Sequence, residues 1–332
     1  MNSRFITSIA TAVLFFVFTS VGSSQDGFGF KPIVENDHSS VKSQDNTGTC
    51  WSYSTVSFME SELIRMGREE MDLSEMFHVR YIYEDKALNY VLRQGKARFS
   101  QGSLAHDVIR AIDMHGMVPQ DAYTGLEKGT ERHDHSEMEK VLKAMVQAIV
   151  GTGNPSEFWQ DAISSVLDTY LGEVPETFSY KGKEYTPIEF RDALGINPDD
   201  YVSFTSFSHH PFYESFILEV PDNYSNGSFY NLPLEEFMEL MNHALSEGYT
   251  IAWDADVSED GFNWRKGIAV YTNESTEDLS EEDSERIFGL PYTEPAVSQE
   301  IRQTAFMNYE TTDDHLMHIT GMVKDKKGKV YY

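Results

Sequence analysis

The apolar positions of this chain change rhythm near its middle. Over residues 49–67, Trp51, Phe58 and Leu63 recur near the helical period, and Gly67 offers a stop. Leu73-Ser74-Glu75 reads as an N-cap with an acidic first turn, which predicts an aromatic-rich helix over residues 76–92. A loop over 95–103 leads to a third predicted helix over 104–115, closed by Gly116 with Pro119 beyond. Helical patterning resumes over 131–197, with helices at 136–149 and 155–171 separated by the turn residues Gly151-Thr152-Gly153-Asn154. From Tyr201 the period shortens to two. Residues 202–207 and 216–220 alternate as strands do, 249–255 and 268–271 read as further strands, and one helix is predicted over 234–248. Helices first and strands later predict an α+β protein with two lobes.

Composition narrows the function classes. The chain has 332 residues, 40% hydrophobic and 13% aromatic, which is globular rather than disordered. Its 26 Lys+Arg against 54 Asp+Glu give a net charge of −28. Phosphate backbones and anionic lipid both need clustered cations, so neither nucleic acid nor a membrane surface is an expected partner. The acidity reads as a solvated surface, as over 274–285. Residues 1–24 carry Arg4, an apolar run from Phe5 to Val21 and the small residues Val21-Gly22-Ser23, the pattern of a signal peptide cut near Ser23 or Ser24. That run is short and hydroxyl-rich for a membrane span, which needs roughly 20 apolar residues. An exported protein is therefore expected.

Cys50 is the only cysteine, so no internal disulfide can form. It is inert and buried, paired to another molecule, or a working thiol. Its surroundings, Gln44-Asp45-Asn46-Thr47-Gly48-Thr49-Cys50-Trp51, favour the last. A thiolate at the first turn of a helix meets unpaired N–H groups and the positive end of the dipole. Gly48 permits close backbone approach there. The Cys50 N–H and the Gln44 side-chain amide would be the two donors of an oxyanion hole.

Gln44, Gly48, Cys50 and Trp51 resemble the Q-x-x-x-G-x-C-W signature of the papain-like cysteine peptidases. Leu73-Ser74-Glu75 is similar to the family's L-S-E element, and Gly102-Ser103 stands in its Gly-rich substrate-binding stretch, with Ser103 replacing the second glycine. Thr47 occupies the place of a disulfide cysteine usual in secreted members. That loss, and the helical stretch over 131–197, resemble the bleomycin hydrolase (aminopeptidase C) branch. The likeness runs from Val34 onward. It implies a papain-like α+β fold for residues 25–332: a helical lobe over about 34–126, a helical insertion over about 131–200 and a β-rich lobe over about 201–332, with the active-site cleft between the lobes.

Of 11 histidines, His315 in Asp314-His315-Leu316-Met317-His318 matches the family's [N/D]-H-A position, and strand alternation puts His318 on the opposite face. The resemblance implies Cys50 as nucleophile, His315 as general base and acid, Gln44 at the oxyanion, and Gly102, Ser103 and Trp51 near the substrate. His133-Asp134-His135, His209-His210 and the His315/His318 pair lack a supporting motif such as H-E-x-x-H, so no metal is implied, nor any organic cofactor. The catalytic Asn of the family's N-S-W-G motif is expected beyond Tyr332, with Gly328 at a hairpin turn lacking a completed return strand; the chain thus reads as C-terminally truncated. The expected activity is peptide hydrolysis, as an aminopeptidase before an endopeptidase, with peptides as partners. A homo-oligomer is compatible with the sequence. A catalytically inactive binding protein on the same fold is the alternative.

Overall fold

A computed structural model describes residues 27–126, 130–276 and 278–332. The expected signal segment and its cleavage point lie outside these residues. The chain opens with β1 (Lys31–Glu35) and crosses an irregular segment to α1 (Cys50–Arg65), α2 (Glu75–Leu92) and α3 (Ala105–His115). Each helix is bounded by identifiable chemistry. The Ser74 side chain accepts from the Phe77 N–H and caps α2. Gly67 turns out of α1 at a φ of 78°, while the Arg68 N–H returns to the Leu63 carbonyl at 2.9 Å.

α4 (Ser136–Gly151) and α5 (Trp159–Leu171) pack beside these three helices and share one core with them. That core includes Val56, Met59 and Leu63 of α1, Phe77 and Ile82 of α2, Val108 and Ile112 of α3, Leu142 and Val146 of α4, and Leu167 of α5, all at most 1% exposed. The hairpin of β2 (Phe178–Tyr180) and β3 (Lys183–Tyr185) then leads to α6 (Pro187–Leu194), whose start is fixed by a capping box between Thr186 and Glu189.

The second half holds short strands: β4 (Phe204–Thr205), β5 (Ser215–Ile217) and β6 (Ser228–Asn231) in the order β4-β6-β5. α7 (Leu234–Ser246), β7 (Ile251–Ala255), β8 (Phe262–Asn263), β9 (Ile268–Ala269), α8 (Glu281–Phe288) and α9 (Gln299–Met307) follow, then β10 (His315–Ile319), β11 (Gly321–Lys324) and β12 (Val330–Tyr331). β10 pairs antiparallel with β7, setting Leu316 opposite Asp254, and β11 lies between β1 and β12. Leu316 joins the helical core, whereas Ile319 and Met322 form a second core with Met241 and Leu245 of α7. The strand that carries His315 therefore bridges the two halves.

The α+β expectation holds, with four local differences. Residues 178–185, read as helical, form a hairpin, because Lys181-Gly182 takes positive φ and reverses the chain. Residues 202–207 alternate, yet only two of them pair in a strand. β1 was hidden from periodicity because its residues are mostly exposed; β11 recruits it through main-chain pairing. The turn at Gly328 does carry a return strand, since Val330 and Tyr331 pair with Lys324 and Val323.

Candidate active site

The segment before α1 is irregular yet tightly held. Lys42 reaches the carboxylates of Glu60 and Glu75 at 2.9 Å each, and both acids are almost fully buried. Burial works against the Lys42 charge, but the Glu75 and Glu60 carboxylates outweigh it and hold the ammonium above its ordinary value. Glu60 also accepts from the Leu73 N–H at 2.8 Å and from the Ser39 hydroxyl. This partly buried cation thus ties the approach to Cys50 onto α1 and the start of α2.

The following loop is pinned on its other side. The Gly48 N–H donates to Gln101 Oε1 at 2.7 Å, and the Trp51 indole N–H donates to the carbonyls of Gly48 and Gln101 at 3.0 Å each. Trp51 is 1% exposed, so it fixes the loop against residues 101–104 and offers little surface to a ligand. Gln44 donates one amide N–H to the Thr47 carbonyl. A primary amide carries two N–H donors, which leaves the second for the cleft.

Cys50 is the first residue of α1, where the backbone N–H has no intrahelical acceptor. Its half-buried thiol shares one cleft, of about 210 Å³, with Gln44, Gly102, Ser103 and His315. The Leu316 and Trp51 backbones hydrogen-bond to the sulfur and favour the thiolate. Burial opposes them, and the Asp254 and Asp222 charges add to it, so the thiol sits above its ordinary value. At rest, burial above all favours the neutral thiol.

His315 lines the cleft at the edge where β10 begins. His318 points elsewhere: its Nδ1 lies 2.9 Å from the Ser57 hydroxyl of α1, and burial pushes its pKa down to about 4. Gly102 lets Asp222 approach the backbone, because a Cβ there would sit 1.8 Å from Asp222 Oδ2 and displace that carboxylate. The Ser103 hydroxyl is engaged with Asp107 Oδ2 at 2.7 Å, at the start of α3, and Ser103 is 1% exposed. Its side chain is committed to the helix rather than to the cleft.

Sequence reasoning missed the acidic lining. Asp222, Asp254, Asp313 and Asp314 all face the same cleft. Burial, then the charges of Asp313, Asp222 and Asp314, pushes the Asp254 pKa up to about 8; burial and Asp222 push that of Asp313 up to about 6. Asp254 Oδ1 and Asp313 Oδ2 are buried without a hydrogen-bond donor. These aspartates come from segments far apart in the chain, so no local motif could announce them. Only Asp314, beside His315, stood in a recognised pattern.

No family model matches the chain. Aminopeptidase C of Lactobacillus delbrueckii subsp. lactis is 23% identical over 294 residues, covering 74% of this chain and 65% of the relative, so the chain matches just under two thirds of that protein. The crystal structure of PepW from Lactobacillus rhamnosis HN001 superposes with a TM-score of 0.65 at 17% identity, covering 90% of this chain and 74% of that one. In sequence the chain is thus similar to an aminopeptidase C, and it shares its fold with PepW.

Proposed function

We propose that this protein is an exported cysteine peptidase that cleaves residues from the free amino end of peptides. The observation that supports it most is one cleft lined by Cys50 at a helix start, His315 at a strand start and four aspartates. In the proposed reaction His315 takes the Cys50 proton as sulfur attacks the scissile carbonyl carbon. The carbonyl oxygen becomes an oxyanion, which accepts hydrogen bonds from the Cys50 N–H and the free Gln44 N–H. The C–N bond then breaks, His315 protonates the leaving amine, and a thioester remains. Water attacks that thioester, gives a proton to His315, and releases the acid as the thiol reforms.

The aspartates favour an aminopeptidase over an endopeptidase. An acyl group bound at Cys50 places its α-amino group within this same small cleft, where carboxylates lacking donors would gain a cation partner. A blocked, neutral amino end brings no charge and leaves the wall uncompensated. The test compares a free aminoacyl fluorogenic amide with its N-acetylated twin. The free amine should be cleaved at least ~10-fold faster by kcat/KM, and Asp254→Asn should shrink that ratio. Equal rates on both substrates would favour the endopeptidase instead.

A further inference from the structure

A second constellation lies in the β4-β6-β5 region and shares no residue with the cleft. His209 and His210 occupy the turn after β4, and Glu219 follows β5. His209 Nε2 lies 3.1 Å from one Glu219 carboxylate oxygen, and His210 Nε2 lies 2.7 Å from the other. All three potential ligand atoms fall within 4.8 Å of one another. We propose that His209, His210 and Glu219 form a binding site for a divalent transition-metal ion of the zinc class.

Ligands about 2.0–2.1 Å from a tetrahedral zinc stand roughly 3.3 Å apart, so closing this triad around an ion needs shifts of at most about 1.5 Å between ligand atoms. Two imidazole nitrogens with one carboxylate suit zinc, nickel or copper, whereas calcium and magnesium prefer all-oxygen sites. The chemistry of the donors therefore selects the class of ion.

Successive histidines normally point apart, and here the surrounding structure holds them together. Asn231, fully buried on β6, donates to the carbonyls of Phe207, His210 and Pro211 at 2.8, 3.1 and 3.1 Å and accepts from the Phe207 N–H at 2.9 Å, so it fixes the turn. The rings are set as well. His210 stacks on Phe216 at 4.2 Å and His209 on Phe306 of α9 at 5.6 Å. The Gln303 amide, whose Oε1 accepts from the Ser208 N–H at 2.6 Å, lies against His209 Nδ1, with Nε2 at 3.1 Å and Oε1 at 3.4 Å. Glu219 and His209 are solvent-exposed and His210 is half-exposed, which gives an ion direct access and leaves positions for water.

The test is a zinc titration of the full chain by calorimetry at neutral pH, after Cys50 has been blocked with iodoacetamide so that its thiol cannot bind the ion. One zinc per chain is expected, with a rise in melting temperature, and neither magnesium nor calcium should compete. His210→Ala should weaken binding at least ~10-fold, and Glu219→Gln, which keeps the size of the side chain, should also weaken it. His243→Ala, on the exposed face of α7, should bind as the wild type does. Zinc binding unchanged in both His210→Ala and Glu219→Gln, or no binding below about millimolar zinc, would overturn the site.

Discussion

At the scale of single residues the electrostatics of Cys50 stand out. Its sulfur receives two backbone hydrogen bonds, but burial and the carboxylates of Asp254 and Asp222 win, and the thiol is raised. A cationic substrate group beside those carboxylates would offset their charge and ease ionisation, so substrate binding and activation are coupled in this cleft. Asp254→Asn should therefore move the midpoint of iodoacetamide alkylation of Cys50 to lower pH; an unmoved or higher midpoint would contradict the field described here. The same residue carries a stability signature. An aspartate titrates near 3.9 when unfolded, and Asp254 titrates at about 8 in the folded protein. Between those values the folded state binds the extra proton, so stability falls as pH rises and the loss is complete above about 8. Asp254→Asn should thus match the wild type near pH 4 and exceed it by roughly 5 kcal/mol at pH 8 in urea unfolding, at about 1.36 kcal/mol for each of the roughly four pH units between the two values. The Gln44-to-Trp51 motif was legible because its chemistry is local. The acidic wall was not, because Asp222, Asp254 and Asp313 meet only after β7 pairs with β10 and Asp222 closes over Gly102.

At the scale of elements, the irregular approach to α1 is held by the partly buried Lys42 cation. Lys42 faces Glu60 and Glu75, which are 0% and 2% exposed as side chains. Lys42→Ala would leave two buried carboxylates without their counter-charge. It should cost about 3–5 kcal/mol in urea unfolding, and a loss below about 1 kcal/mol would mean that these acids find other partners. The long helices could be read because a 3.6-residue period persists over several turns and Ser74, Gly67 and Gly116 mark their ends. The strands could not be bounded, since several span only two or three residues and gain their pairing from distant partners. β1 is the extreme case: five mostly exposed residues near the start of the described chain pair with β11 near its end.

At the scale of the whole molecule, the cleft exists because β10 serves both halves. Leu316 packs into the helical core, Ile319 packs with α7, and the His315 end of the strand stops at the mouth of α1. Order along the chain, helices before strands, was enough to read this two-part plan, although the seam itself came from a non-local pairing of β7 with β10. The most direct test of the whole reading is turnover of a free aminoacyl fluorogenic amide by the wild type, Cys50→Ala, His315→Ala and His318→Ala, each checked for folding by circular dichroism. The wild type should cleave; Cys50→Ala and His315→Ala should each lose roughly a thousandfold or more in kcat/KM, while His318→Ala keeps most of its activity. An inactive wild type, or a folded Cys50→Ala variant retaining more than a few per cent of wild-type turnover, would contradict it.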